Sequence, residues 1–218
     1  MKWRLVDTGK SRYYEFKKGD HSAFYTTKHG QDNLISDANP VFLKQIHSRV
    51  IVDVDAAAEY VGDGLVSSVD KCIGVKVADC LPVYLFAPGK ICIIHCGWRG
   101  IIAGIAKEAK RILKNFTYVM GASIGKCCYE VQQDVADLFT HDYPHAVTQY
   151  NDGYFLDLKA AVMHDLGSGS LIGALDLCTK CHPESFFSHR LGDGQRNYAF
   201  ISGSTAMIAP VLKDKITP

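Results

Sequence analysis

VADCLPVYLF (residues 77–86) and ICIIHCGWRG (91–100) are two apolar runs, and the segment after the second is of a different kind. Strands are expected near 82–87 and 90–95, the second a buried strand that ends at His95 and turns through Gly97 and Gly100. In IIAGIAKEAKRILKN (101–115), residues 101, 102, 105, 109, 112 and 113 fall on one apolar helical face. Lys107, Glu108, Lys110, Arg111 and Lys114 lie largely opposite, and the late cations suit the negative end of the helix dipole. Working outward, β-branched and apolar runs predict strands near 21–27, 41–46, 49–54, 72–77, 117–122, 170–177 and 197–202. Further helices are expected over 129–139 and 155–166, the latter striped by Phe155, Leu158, Val162 and Leu166 and stopped by Gly167. Interleaved strands and helices point to an α/β (α+β) fold, with layered mixed sheets flanked by helices. No repeat, low-complexity tract or linker divides the 218 residues, so residues 1–218 are read as a single domain.

Hydrophobic residues make up 47% of the chain and charged residues 22%, as in ordinary globular proteins. The net charge of +1 leaves no electrostatic footprint for nucleic acid or an anionic membrane. MKWRLVDTGK has no apolar signal core, and no apolar run nears 18 residues, so a cytoplasmic protein is expected. The eight cysteines are then read as reduced. Cys72, Cys92 and Cys96, in or beside apolar runs, are expected as core filler.

Three residues sit where apolar runs stop: His47 in QIHS (45–48), Cys80 in VADCLPVYLF and His95 in IIHCGWRG. VFLKQ and RVIVDV flank His47, placing it at the apex of a turn. Two imidazoles and a thiolate are good zinc ligands, and a catalytic zinc keeps a fourth position open. Cys80 reads equally as a metal-bound thiolate or an activated nucleophile. Asp79 could orient an imidazole, act as a base or cap a turn. Gly97 lets backbone approach a ligand, and Arg99 beside a helix start suits phosphate or carboxylate. No P-loop is present. CTKCH (178–182) matches a haem-attachment spacing, but the export this requires is not expected here. As half of a structural zinc site it needs a second ligand pair, and Cys127 and Cys128 are adjacent rather than spaced. His182, His189 and Arg190 are within possible reach of a pocket. His21, His29, His141, His145 and His164 carry no motif and are read as surface or solvated.

Taken in order, QIHS, DGLVS (63–67), VADCLPVYLF, IIHCGWRG, GASIGKCCYEV (121–131), FLDL (155–158), CTKC, FFSHR and GQR (194–196) resemble the bacterial laccase-domain family. That family was first described as polyphenol oxidases or multicopper oxidoreductases and is now regarded as zinc-dependent purine nucleoside phosphorylases that also deaminate adenosine. The resemblance implies metal ligands His47, Cys80 and His95, and a fold like that of a toxin deamidase. It implies zinc rather than copper, since three ligands do not build a multicopper cluster. Adenosine, inosine, guanosine or methylthioadenosine, together with phosphate, are the implied partners of a monomer or small homo-oligomer. Catalytic roles are expected for His47, Asp79, Cys80 and His95, and substrate or phosphate contacts for Gln45, Gly97, Arg99 and Arg190, with Arg196 further out. Ala122 stands where the family commonly has Pro, and Ser188, His189, Arg190 and Leu191 depart from its basic pair. The rival reading is a cysteine hydrolase or amidase with Cys80 as nucleophile and His95 as base; a non-enzymatic binding module ranks last.

Overall fold

The structure, a computed structural model, describes residues 2–68 and 71–203. Its first sheet has the order β1 (Arg4–Asp7), β2 (Arg12–Lys18), β3 (His21–Thr26), β15 (Asn197–Ser202), β7 (Cys72–Val77), β4 (Val41–Phe42). The second has the order β14 (Leu171–Ala174), β10 (Thr117–Met120), β8 (Leu81–Ala87), β9 (Lys90–Cys96), β6 (Gly64–Ser67), β5 (Ile51–Asp53). β11 (Glu130–Val131), β13 (Gly153–Leu156) and β12 (Val147–Tyr150) form a small third sheet. Both large sheets are mixed: β4 runs parallel to β7, β5 to β6 and β14 to β10, and the other pairs are antiparallel.

The layering follows from where side chains alternate. On β8, Tyr84 and Phe86 enter a core shared with Phe16, Tyr25, Val75 and Ile201 of the first sheet. Val83 and Leu85 point the other way, onto Ile105 and Ala109 of α3 (Ile105–Ile112) and Val162 of α5 (Leu158–Leu166). β9 divides likewise, Ile91 and Ile93 inward and Cys92 and Ile94 toward the helices. A strand covered on both faces has no polar side to show, which is why these two read as continuous apolar runs. Each such side chain contributes about 1.5–3 kcal/mol by leaving water. The Tyr84 hydroxyl, buried between the sheets, donates to the Phe24 carbonyl at 2.8 Å, so its burial leaves no polar atom unpaired. Beyond the first sheet, Leu34 and Ala38 of α1 (Gln31–Ala38) cover Phe24 and Phe200. The order of layers is helix, sheet, sheet, helices, the α/β arrangement of mixed sheets expected from the sequence.

Several elements differ from expectation. The helix after GWRG is two: α2 (Trp98–Ile102) and α3, broken where Gly104 takes φ 90°, a left-handed conformation. The helix expected over 129–139 starts later, as α4 (Gln133–Asp142), because Glu130 and Val131 pair with β13. Phe155 belongs to β13 rather than to a helix stripe; α5 begins after Asp157, whose carboxylate accepts the Ala160 N–H at 3.0 Å. His21 is half-buried with its ring 6.1 Å from that of Phe86, not solvated. No helix among the described residues is long and apolar enough to cross a membrane.

Candidate active site

Strand pairing brings the first two candidate residues together. β8 and β9 form an antiparallel hairpin in which Leu81 faces Cys96 and Pro82 faces His95. Cys80, one residue before β8, therefore meets the far end of β9. His47 arrives from the opposite sheet, on the 43–50 connection that crosses from β4 to β5. It adopts φ 58°, a left-handed conformation rare for a residue with a side chain. One ligand atom from each of His47, Cys80 and His95 lies within 4.8 Å of the others. The His47 and His95 rings stand edge to face, 5.1 Å apart.

Asp63 holds this geometry. It is fully buried, and its Oδ1 sits 2.9 Å from His95 Nδ1. Its Oδ2 accepts the Ser48 N–H at 2.5 Å, the Ser48 hydroxyl at 2.9 Å and the Ile46 N–H at 3.3 Å, the two residues flanking His47. One carboxylate thus orients one imidazole and ties down the turn that carries the other. Burial raises the Asp63 carboxyl, but the bonds from His95 and Ser48 prevail and bring it to about 2. DGLVS carries Asp63, yet the motif by itself assigns it no role. An acid just before an apolar strand is the one local signal it gives.

Burial also opposes ionisation of Cys80, yet the charge of His95 and hydrogen bonds from both imidazoles lower the thiol to about 6. In turn, burial disfavours protonation of His95, while the Cys80 charge and the Asp63 bond outweigh it and raise the imidazole to about 9. Each group thus favours the charged form of the other, which makes the sulfur a better ligand or nucleophile. Cys72, Cys92 and Cys96 are buried in the core as expected, and burial pushes the thiols up, Cys72 to about 12. Gly97 is required by contact: an added Cβ would lie 3.0 Å from Cys80 Sγ and 3.4 Å from His47 Cδ2.

Two lobes of one cleft meet at His47 and Cys80. The first, about 370 Å³, is walled by Leu43, Gln45, Lys76, Ala78, His189 and Arg196. The second, about 390 Å³, contains Arg99, Arg190, Tyr129 and Trp98. His47, Ala78, Cys80 and His189 border both. Arg99 lies over the Trp98 ring at 4.3 Å and Arg190 over the Tyr129 ring at 5.0 Å, so two stacked guanidinium groups border one lobe, that of Arg190 also donating to the Glu130 carbonyl at 2.7 Å. His189, read from the sequence with Arg190 as within reach of a pocket, borders both lobes, whereas no sequence motif marks Lys76 or Tyr129.

Three of the expected site residues are engaged by other parts of the protein. Asp79 does not touch either imidazole. It is buried at φ 84°, and its carboxylate accepts from the Thr179 hydroxyl (2.6 Å), the Ser188 hydroxyl (3.0 Å) and the Arg190 N–H (2.8 Å). Held by three donors, its carboxylate ties down the cleft wall. Gln45 lines the cleft, but its amide bonds the Lys76 N–H (2.8 Å) and carbonyl (2.9 Å), anchoring the His47 connection to the edge of β7. Arg196 is turned onto the carbonyls of Asp193, Gly194 and Gln195. CTKC does have a second pair: the Cys127, Cys128, Cys178 and Cys181 sulfurs all lie within 4.8 Å of one another. Adjacency argues against such a pair only for extended backbone; residues 126–128 form a turn.

Fold and site together define a double-sheet α/β protein with a His₂Cys centre open to a two-lobed cleft. The chain belongs to the multi-copper polyphenol oxidoreductase laccase family, whose model matches residues 26–205. It is 29% identical to a protein named purine nucleoside phosphorylase from Clostridium acetobutylicum, over 92% of this chain and 99% of that one. A protein of the same name from Borreliella burgdorferi is 30% identical over 87% of this chain and 95% of its own. Among solved structures, the hypothetical protein YfiH of Bacillus licheniformis superposes with a TM-score of 0.78 at 25% identity, covering 92% of this chain and 98% of that one.

Proposed function

We propose that this chain is a purine nucleoside phosphorylase whose reaction takes place where the two lobes meet. The observation that carries the reading is that division: Arg99 and Arg190 line one lobe, Leu43, Gln45 and Ala78 line the other beside His95, and His47 and Cys80 border both. Arg99 and Arg190 hold inorganic phosphate, for which paired, stacked guanidinium groups are suited. The nucleoside occupies the lobe lined by Leu43, Gln45 and Ala78, with its sugar toward the junction. A phosphate oxygen attacks the anomeric carbon, the glycosidic bond breaks with its electron pair passing to the purine, and the purine takes up a proton. His189, bordering both lobes, is placed to supply that proton. The names of the relatives support the same reaction class.

His47, Cys80 and His95 fit a zinc ion. Their donor set is two imidazoles and a thiol already poised to ionise, and His95 has the carboxylate partner usual for a metal-bound imidazole. Bound there, zinc supplies positive charge and Lewis acidity at the junction. Asp63 keeps the His95 ring oriented, and Gly97 leaves room for the three side chains to converge.

Hydrolytic deamination of adenosine is the second reading, favoured by the same donor set. It normally uses a free carboxylate beside the metal. The acid lining these lobes is Asp79, already bonded to three donors, so phosphorolysis ranks first. Chromatography of products from zinc-replete protein decides. Hypoxanthine and ribose 1-phosphate from inosine, formed only with phosphate, support the main reading; inosine from adenosine without phosphate supports the second. Neither product would overturn both.

A further inference from the structure

We propose that Cys127, Cys128, Cys178 and Cys181 form a second metal site, a closed structural one that takes a single tetrahedral thiophilic cation, zinc, and staples two loops together. It lies outside the two-lobed cleft and does not depend on the function proposed for it. A zinc–sulfur bond of about 2.3 Å in a tetrahedron places neighbouring sulfurs about 3.8 Å apart. Here the Cys127 and Cys181 sulfurs are 3.8 Å apart and those of Cys128 and Cys181 3.4 Å apart, all four lying within 4.8 Å. All four cysteines are free, and these separations are far beyond a sulfur–sulfur bond.

Both arms are shaped for the task. The Cys178–Cys181 arm is a tight turn closed by the His182 N–H on the Cys178 carbonyl at 3.2 Å. The other arm is a turn in which the Cys128 and Tyr129 N–H groups bond the Gly125 carbonyl at 2.9 and 3.0 Å. In a helical turn adjacent side chains diverge by about 100°, not to opposite faces as in a strand, so vicinal cysteines can address one ion. The Gly125 N–H donates to Cys178 Sγ at 3.2 Å, a bond that favours a thiolate. A side chain at Gly125 would crowd the group, with Cys127 Sγ at 3.2 Å and Cys178 Cβ at 3.3 Å from its Cβ.

The two arms carry more than cysteines. Thr179, inside the CTKC turn, donates to Asp79, and the Ile124 N–H, beside the other arm, donates to the Asp79 carbonyl at 2.8 Å. An ion joining the arms therefore braces the residue that precedes Cys80.

The test is zinc content of the full chain purified under reducing conditions. His47→Ala removes a ligand of the other centre and is expected to retain one equivalent of zinc. Adding Cys127→Ser and Cys181→Ser, two exposed positions, is expected to remove that equivalent while circular dichroism keeps its folded form. Cobalt-loaded His47→Ala is expected to show sulfur-to-cobalt charge transfer and the intense visible bands of a tetrahedral thiolate site, absent from the triple variant. Zinc-free His47→Ala that also fails to develop the cobalt spectrum would overturn the proposal. So would zinc retained in the triple variant, or a Cys128–Cys181 disulfide found by mass mapping of reductant-purified protein. Absence of phosphorolysis from the zinc-replete unsubstituted chain, with the second ion intact, would count against the cleft reading alone.

Discussion

His47 joins Cys80 and His95, which lie at paired strand ends, from a connection between the two sheets, whereas the four-cysteine group is assembled from two loop turns. The first is fixed by buried structure: β8 and β9 pairing, the Asp63 carboxylate, and the space left by Gly97. The second is held by local turns, with Cys127 and Cys181 exposed. The donor counts differ in the same direction. Three ligands beside an open cleft leave a position for chemistry, while four ligands complete a tetrahedron and leave none. Rigidity supplied by the sheets suits an open centre; in the proposed second centre, an ion joins the two loops.

That contrast can be broken in order of expected effect. Cys80→Ser, at the junction of the lobes, is expected to lower kcat/KM for inosine phosphorolysis by about 1000-fold, the scale of losing a principal electrostatic group in a site. Steady-state rates at saturating zinc check it, and a loss below tenfold would detach Cys80 from catalysis. Asp63→Asn removes the partner of His95 and the anchor of the His47 turn. Weakening of zinc affinity by about 10–100-fold is expected, read by competition with a chromophoric chelator. Unchanged affinity would reduce Asp63 to a structural role. Arg99→Ala is expected to raise the phosphate KM about tenfold, since a charge-assisted bond is worth about 1.5–3 kcal/mol, with the inosine KM little changed. An unaltered phosphate KM would place the anion elsewhere. Cys127→Ser with Cys181→Ser is expected to act on stability rather than on the open centre. It should lower Tm by about 4–8 °C, corresponding to about 2 kcal/mol in a chain of this size, while the zinc affinity of the His47, Cys80 and His95 group stays within twofold.

The same division explains how much of the molecule is legible in its residues. β8 and β9 are legible because both faces are covered, and their long apolar runs admit no other reading. The three ligand candidates are visible because each interrupts or ends such a run. β2 escapes because its alternation fails: Glu15 is buried on the strand, salt-bridged to Arg4 at 2.6 Å. α1 escapes because only Gln31, Leu34 and Ala38 of its eight residues are buried, too few to draw a stripe. β12 and β13 pair across a short turn at Asn151 and Asp152, so Phe155 reads as part of a neighbouring helix. The role of Asp79 depends on Thr179, Ser188 and Arg190, about 100 residues away, and no local pattern reveals such partners. The cysteine group depends in the same way on two turns brought together from separate parts of the chain.

The most direct measurement is a zinc titration of metal-stripped Cys127→Ser, Cys181→Ser protein, followed by phosphate-dependent release of hypoxanthine from inosine. The account predicts that activity rises in proportion to zinc, reaches a plateau at one equivalent per chain, and is absent when Cys80→Ser is added. Full activity in the stripped protein, or a plateau that survives loss of Cys80, would contradict it.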